Sequence, residues 1–144
     1  MSDPYTRIGV IGAGVMGRGI AQVFAQSGAQ VVLVDQSQTA LEAAIAGISG
    51  TLDRAIAKGR MTAVEAQATL TRIAPSQDIA ALAAQELVVE AIVEDLTVKA
   101  KVLTEVGAIA QLAVLASNTS SLQISDISTA TAARNPVIGL HFFN

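Results

Sequence analysis

The sequence is poor in the residues from which metal sites and disulfide frameworks are built. Its 144 residues include no cysteine and a single histidine, His141. Transition-metal clusters and disulfide scaffolds need several of these side chains, so both are excluded and no metal site is predicted. Any chemistry must therefore come from an organic cofactor or from ordinary polar side chains.

Positive charge is also scarce. Nine lysines and arginines face twelve acids, a formal net charge of -3, whereas nucleic acid and anionic membranes need a clustered basic surface. No stretch approaches the roughly 18 consecutive apolar residues of a membrane span, and the first residues lack the basic and then apolar layout of a signal peptide. We expect neither nucleic acid nor a membrane as a partner, and we expect a cytoplasmic location.

The chain is rich in aliphatic residues: 51% of its residues are hydrophobic, but only 3% are aromatic. That composition is typical of helices packed on a buried parallel sheet. The run "RIGVIG" predicts a strand over 7–12, the following residues predict a helix that ends at Gly28, and "AQVVLVD" predicts a strand over 29–35. A strand, a helix and a strand at this spacing form a βαβ unit whose two strands are parallel.

Two capping patterns predict consecutive helices after the second strand. Thr39 with Glu42 resembles a capping box that opens a helix as far as Lys58, and Thr62 with Glu65 repeats the pattern for a shorter helix. Two helices are more than a crossover between parallel strands requires. We therefore predict an inserted helical hairpin that stands off the sheet.

The rest of the chain alternates between strands and helices. Such alternation indicates an α/β fold with a Rossmann-like, doubly wound, mostly parallel sheet. One domain over 1–144 accounts for the whole pattern. The expected elements are an edge strand at 73–75, a helical turn from Asp78, strands at 87–92, 113–118 and 136–143, and helices at 96–111 and 122–130.

A glycine motif follows the first predicted strand and opens the first predicted helix. Gly12, Gly14 and Gly17 form the G-x-G-x-x-G pattern of dinucleotide-binding proteins. The first glycine permits a tight turn, the second lets the backbone approach a pyrophosphate, and the third brings the helix close to the strand. The predicted cofactor-binding residues of this loop are Gly12, Ala13, Gly14, Val15, Met16 and Gly17.

Asp35 ends the second predicted strand, eighteen positions after Gly17. A carboxylate there can accept hydrogen bonds from the adenosine ribose. It would repel a ribose 2′-phosphate by several kcal/mol at an effective dielectric constant of about 20. NAD is therefore the expected cofactor, in preference to NADP.

Two further polar clusters lie near predicted strand ends. Glu90, Glu94 and Lys99 surround the end of one strand, and taken alone they are best interpreted as a solvated helix start. Asn118 to Ser121 follow the next strand and supply more polar groups than one helix cap needs. His141 lies in the last predicted strand, where an imidazole could accept the proton of an alcohol.

Four segments together carry a resemblance: "VIGAGVMGRGIAQVFAQSG", "VVEAIVEDLTVK", "ASNTSSLQISDI" and "GLHFFN". They resemble the NAD-binding domain of the L-3-hydroxyacyl-CoA dehydrogenase family. The resemblance implies that Gly12 to Gly17 and Asp35 hold the adenosine diphosphate half of NAD. It implies the following further roles: Glu94, Lys99, Ser120 and Asn144 contact the nicotinamide half, Ser120 and Asn118 meet the substrate oxygen, His141 is the catalytic base, and Lys58 contacts the phosphates of coenzyme A.

The same resemblance implies parts that this chain does not contain. In the family a glutamate about a dozen residues beyond the histidine orients it, and a second, helical domain forms a homodimer and covers the acyl chain. Both would lie beyond Asn144. We therefore expect these residues to bind NAD but to turn over little substrate by themselves.

Two alternatives remain open from the sequence. One is another NAD-dependent β-hydroxyacid dehydrogenase with a similar glycine loop. The other is a dinucleotide-binding or structural protein that does not catalyse a reaction. The preferred acyl-chain length, and a pathway such as fatty-acid oxidation or butanoate metabolism, are not predicted.

Overall fold

The computed structural model describes residues 5–143. They form an α/β fold with one six-stranded sheet that helices cover on both faces. Every strand pairing in this part of the chain is parallel, so the Rossmann-like fold is confirmed. The strands are β1 (Arg7–Ile11), β2 (Gln30–Val34), β3 (Ile73–Ser76), β4 (Leu87–Glu90), β5 (Val114–Ser117) and β6 (Val137–Gly139). The helices are α1 (Val15–Gln26), α2 (Gln38–Ala57), α3 (Ala63–Thr71), α4 (Leu96–Ile109) and α5 (Ile124–Ala130), with a 3-10 turn at Ile79–Leu82.

The order of the strands determines where a ligand can enter. The sheet runs β3-β2-β1-β4-β5-β6, so the chain moves outward from β1 in one direction and then returns to continue from β4 in the other. In open sheets of this kind, ligands bind at the carboxyl ends of the strands where the order reverses. The register aligns Ile11 with Val34 and Glu90, and Glu90 with Ser117, so these strand ends meet at one edge.

The two faces of the sheet carry separate hydrophobic clusters. Ile8 and Val10 of β1 are fully buried on the face that α1, α2 and α3 cover. Leu103 of α4 and Leu115 of β5 are fully buried on the opposite face, together with residues of α5. Alternate residues of a strand point to opposite faces, and both faces are covered, which explains why nearly continuous aliphatic runs marked the positions of the strands.

The hairpin of α2 and α3 buries one apolar side of α2. Leu41, Ala44, Ile48 and Leu52 lie on one side of α2 and are buried in the same cluster as the residues of β1. The predicted inserted hairpin is present, and α2 is joined to this cluster mainly through α1 and α3. An apolar helix face of about three turns gains more from burial than from exposure to water.

One of the two predicted capping patterns is wrong. The N-cap of α2 is Ser37, whose side chain accepts a hydrogen bond from the N–H of Ala40, so Thr39 already lies within the helix. The capping box of Thr62 and Glu65 is present, with hydrogen bonds of 2.8 and 3.1 Å. Both pairs have the right spacing, but Ser37, two residues before Thr39, takes the cap position of α2.

The last strand is shorter than predicted. β6 ends at Gly139, so His141 lies in the segment that follows the strand and not within it. The reason is visible in the hydrogen bonds: the N–H of Leu140 still donates to Ser117, but the N–H of Phe142 donates to the side chain of Asn118.

Within residues 5–143, no helix combines the length and the apolar character that crossing a bilayer requires.

Candidate active site

The glycine loop between β1 and α1 has the geometry that the sequence predicted. Gly12 has a φ of 103°, which favours glycine, and its N–H donates to Val34 at 2.8 Å. A Cβ on Gly17 would lie 1.6 Å from the carbonyl oxygen of Gly12, so only glycine allows α1 to approach β1 this closely. A Cβ on Gly14 would meet no atom within 4 Å, which leaves the outer side of the loop open.

The first turn of α1 is suited to an anion. Gly14 is its N-cap, no side chain caps the helix, and the turn contains no acid. The N–H groups of a first helical turn have no partner within the helix, and the helix dipole adds partial positive charge there. A phosphate placed against Gly14 would meet these groups without competition from a side-chain cap.

Asp35 lies beside this loop, directly after β2. One carboxylate oxygen accepts from the N–H of Ala13 at 2.9 Å, and the other accepts from the N–H of Ser37 at 2.8 Å. The bond to Asp35 occupies the N–H of Ala13, which the sequence had assigned to the cofactor. Asp35 also lines a pocket of about 440 Å³ with apolar side chains of Ile11 and Ile92, which suits an adenosine.

A second cleft, of about 370 Å³, brings together residues from four separate segments of the chain. Val15 is exposed at the start of α1 and does not line this cleft, and Lys58 is exposed at the end of α2 and lines neither pocket. Asn144, which the resemblance also implicates, lies outside the described residues. The predicted site residues that do line the cleft are Met16, Glu94, Lys99, Asn118, Ser120 and His141.

Glu94 fixes the loop that follows β5. Its carboxylate accepts the hydroxyl of Thr119 at 2.6 Å and both the N–H and the hydroxyl of Ser120 at 3.1 and 3.2 Å. Desolvation opposes ionisation of this carboxyl, but the hydrogen bonds from Thr119 and Ser120, together with the charge of Lys99, outweigh it and lower the pKa of Glu94 to about 2. Glu94 is therefore a carboxylate at any physiological pH.

Glu90 and Lys99 form a buried ion pair below the cleft. The ammonium of Lys99 donates to both oxygens of Glu90, at 2.9 and 2.8 Å, and to the carbonyl oxygen of Ile92 at 3.3 Å. The side chain of Lys99 is only 2% exposed, and that of Glu90 is 0% exposed. The interpretation of these charges as a solvated helix start is therefore wrong for both residues, and only Glu94 reaches solvent.

Asn118 connects the loop after β5 to the segment that carries His141. Its side-chain oxygen accepts from the N–H of Phe142 at 2.7 Å, and Asn118 lines the cleft. Its amide nitrogen has no hydrogen-bond partner among the described residues and remains a free donor. His141 is exposed, and its ring packs against Phe143 with centroids 4.5 Å apart. Among residues 5–143, no side chain or backbone group hydrogen-bonds to its imidazole.

Comparison with known proteins identifies the family. A sequence model described as "3-hydroxyacyl-CoA dehydrogenase, NAD binding domain" matches residues 7–144. The chain belongs to this family. This NAD-binding domain is 40% identical over 146 residues to the 3-hydroxybutyryl-CoA dehydrogenase of Mycobacterium tuberculosis. The match covers 100% of this chain but only 51% of the Mycobacterium protein.

Two other relatives support the same assignment. The 3-hydroxyadipyl-CoA dehydrogenase of Escherichia coli is 44% identical over 140 residues, which is 95% of the domain and 29% of that protein. The crystal structure of (S)-3-hydroxybutyryl-CoA dehydrogenase PaaH1 from Ralstonia eutropha superposes with a TM-score of 0.93 at 37% identity, covering 98% of the domain and 50% of that chain. The domain thus spans about half the length, or less, of these relatives.

NAD is the cofactor of this domain, and the residues present fit it. The open side of Gly14 and the uncapped first turn of α1 suit a pyrophosphate. The carboxylate of Asp35 suits a ribose with two free hydroxyl groups and disfavours a 2′-phosphate.

The sequence analysis gave no role at the site to three polar residues that shape it. Glu90, Ser117 and Thr119 are buried and hydrogen-bonded beneath the cleft. One signal for Glu90 was available, because a charged residue at the end of the buried strand "LVVE" requires a partner. Nothing in the sequence alone indicated that Ser117 would be that acid's second donor.

Proposed function

We propose that this domain belongs to an enzyme that reversibly oxidises an (S)-3-hydroxyacyl-CoA to the 3-ketoacyl-CoA. The observation that carries the proposal is the second cleft, where Asn118, Ser120 and His141 border the space next to Glu94. The names of the relatives support the substrate class, since they act on 3-hydroxybutyryl-CoA and 3-hydroxyadipyl-CoA. The (S) configuration is that in the name of the Ralstonia enzyme.

Oxidation of the secondary alcohol requires that a hydride leave C3 and that a proton leave the hydroxyl oxygen. NAD, when bound, supplies the hydride acceptor. In our proposal the imidazole of His141 accepts the hydroxyl proton, and the same nitrogen returns it when the ketone is reduced. Its exposure on the cleft and its lack of a hydrogen-bond partner among the described residues leave it available for this transfer.

Asn118 and Ser120 would have complementary parts. The side-chain nitrogen of Asn118 can donate to the substrate oxygen, because its oxygen already accepts from Phe142. A donor aimed at that oxygen stabilises the negative charge that develops on it. The hydroxyl of Ser120 donates to Glu94, so it offers lone pairs, which suits a hydroxyl or amide donor of the nicotinamide half of NAD.

We propose that the phosphates of coenzyme A lie along the hairpin, near Lys58. Lys58 is exposed at the end of α2, and Arg54 lies one turn before it on the same side of the helix. The guanidinium of Arg54 donates to the hydroxyl of Thr51 at 3.1 Å, which holds it along the helix surface. Two cations at this spacing offer a phosphate group charge-assisted contacts.

The remaining parts of the proposal concern the whole protein. We propose that residues 1–144 form one NAD-binding domain, that a helical domain beyond Asn144 completes the substrate site and forms a homodimer, and that the enzyme is cytoplasmic. An orienting carboxylate for His141 would come from beyond Asn144. The match of the family's NAD-binding domain to residues 7–144 supports the first statement, and the chain's span of about half of its relatives is consistent with a further domain.

The test uses the full natural protein and follows NADH absorbance. We expect reduction of acetoacetyl-CoA and oxidation of 3-hydroxybutyryl-CoA, with no comparable rate on free 3-hydroxybutyrate. His141→Gln should lower kcat by about 10²- to 10⁴-fold, the usual worth of a general base, while the affinity for NADH stays unchanged. A His141→Gln enzyme that keeps its full rate would contradict the role of His141, and a wild-type enzyme faster on the free acid would contradict the substrate class.

A further inference from the structure

Glu90 is the most completely enclosed charged group near the cleft, with 0% of its surface exposed. One carboxylate oxygen accepts from the hydroxyl of Ser117 and from Lys99, and the other accepts from Lys99 and from the N–H of Ile92 at 3.2 Å. A buried ion pair adds little stability compared with well-packed apolar side chains of the same size. Stability alone therefore does not account for a carboxylate at this position.

Two routes of hydrogen bonds and ion pairs lead from Glu90 to the loop after β5. In the first, the ammonium of Lys99 is bonded to Glu90 and lies 3.6 Å from a carboxylate oxygen of Glu94. Glu94 in turn accepts from Thr119 and Ser120. The position of the Lys99 charge, and hence the attraction that holds Glu94, depends on the charge of Glu90.

The second route runs through Ser117. Its hydroxyl donates to Glu90, so its lone pairs are directed elsewhere, and they accept from the N–H of Thr119 at 3.2 Å. The backbone of Glu90 contributes as well, because its carbonyl oxygen accepts from the N–H of Asn118 at 3.0 Å. Both routes thus reach Thr119, and the first also reaches Ser120 directly.

We propose that Glu90 is a positioning residue, which holds Glu94 and Ser120 in the orientation that the nicotinamide half of NAD requires. The inference rests on the proposed function, because it takes Glu94 and Ser120 as the groups that contact that half. Glu90 itself is enclosed by protein atoms and touches neither substrate nor cofactor. In the adenosine half of the site, Gly14 and Asp35 have no hydrogen bond to Glu90, Lys99 or Ser117 among residues 5–143. Ile92, whose N–H donates to Glu90, also lines the adenosine pocket, but as an apolar residue that carries no charge between the two halves.

This separation provides the test, made by calorimetry on the full natural protein. NADH fills both halves of the site, whereas ADP fills only the adenosine half. Glu90→Gln removes the charge and keeps the size of the side chain. We expect it to weaken NADH binding by about ten-fold or more, as for loss of a charged hydrogen-bond network, to lower kcat, and to leave the affinity for ADP unchanged.

The control is Glu86→Gln, since Glu86 lies just before the same strand, at its solvent-exposed amino end, and pairs with Arg7. It should leave both affinities unchanged. If Glu90→Gln weakens NADH and ADP equally, or weakens neither, the inference is overturned. If Glu90→Gln does not fold, Ser117→Ala takes its place, because it breaks the second route and keeps the ion pair. A loss of about three-fold in NADH affinity with no change in ADP affinity supports the inference. An unchanged ratio of NADH affinity to ADP affinity overturns it.

These outcomes are distinct from those that test the proposed function. A wild-type protein that binds NADH but oxidises no 3-hydroxyacyl-CoA would refute the proposed reaction and would leave the comparison of NADH with ADP valid. A wild-type protein that binds ADP but gains nothing from the nicotinamide half would overturn the inference about Glu90.

Discussion

Adding one methyl group at each of three glycines of the first βα unit should give three different results. At Gly17 the new Cβ would lie 1.6 Å from the carbonyl oxygen of Gly12. Carbon and oxygen approach to about 3.3 Å in close C–H···O contacts, so α1 would have to move away from β1 by roughly 1.7 Å. The obstacle is backbone and has no rotamer through which to yield.

The cost of that movement follows from what α1 buries. Ile20, Ala21 and Ala25 on its inner face are all fully buried, and a shift of the helix loosens all three contacts. Extra methyl groups in a packed interior cost about 1 to 3 kcal/mol, and we expect Gly17→Ala to reach at least the upper end because the backbone must move. In a domain of this size, about 3 kcal/mol lowers the melting temperature by roughly 10 °C.

Gly14→Ala should separate binding from stability. Gly14 has an ordinary φ of -72°, and its Cβ would meet no atom within 4 Å, so the folded protein accommodates alanine. The methyl group would project from the open side of the loop, where we place the pyrophosphate. Loss of one or two hydrogen bonds to a charged group, worth about 1.5 to 3 kcal/mol each, should weaken NAD binding by at least ten-fold.

Gly19→Ala is the matched control. Gly19 lies two residues after Gly17 on α1, is exposed, and leaves its Cβ position empty, so alanine should leave NAD binding unchanged and raise stability by up to about 1 kcal/mol. Urea unfolding and NAD calorimetry on all three variants measure both effects. A Gly17→Ala protein as stable as the wild type, or a Gly14→Ala protein with full affinity for NAD, would refute this account of the loop.

Three further predictions concern single charges. Asp35→Ala should weaken NAD binding, since the carboxylate also holds the N–H of Ala13 at 2.9 Å, and should reduce the preference for NAD over NADP; calorimetry with both cofactors measures this. The pKa of Glu94 is lowered from 4.5 to about 2, so its ionisation stabilises the fold fully above pH 4.5, and that contribution is lost as the pH falls towards 2. Urea unfolding at a series of pH values measures this. Between pH 4.5 and 2 the free energy of unfolding of Glu94→Gln should fall less than that of the wild type. In steady-state kinetics on the full natural protein, Lys58→Ala should raise KM for acyl-CoA several-fold, as expected for one surface charge, and should leave KM for NAD unchanged. An unchanged KM for acyl-CoA would contradict the proposed position of coenzyme A along the hairpin.

The fold could be predicted because its signals are local. Each strand is a short aliphatic run, each run ends at glycine or a polar residue, and parallel pairing follows from the intervening helices. The strand order had no such signal, since the return from β3 to β4 depends on which surfaces pack together. The packing partners of α2 had no such signal for the same reason: Leu41 and Ile48 are apolar, but only tertiary structure shows what they cover.

The site was predictable where spacing determines geometry and unpredictable where burial does. The glycine loop and Asp35 followed from the positions of glycines and one acid relative to a strand and a helix. The prediction that Glu90 and Lys99 are exposed to solvent relied on the general rule that charged residues at a helix start are exposed. These two residues are exceptions to that rule. Here α4 begins directly above the end of β4, and the nine-residue separation lets the long side chain of Lys99 reach back to the strand.

The placement of His141 depends on a side chain and not on the strand in which the sequence placed it. The backbone ladder between β5 and β6 ends with the bond from Leu140 to Ser117, and the next fixed point is the bond from Phe142 to the side chain of Asn118 at 2.7 Å. His141 lies between these two bonds. Asn118 therefore has two parts in our proposal: its oxygen sets the position of the residue next to the proposed base, and its nitrogen is the donor that we assign to the substrate oxygen. A change at Asn118 should disturb the base and the substrate contact together, because one amide group serves both.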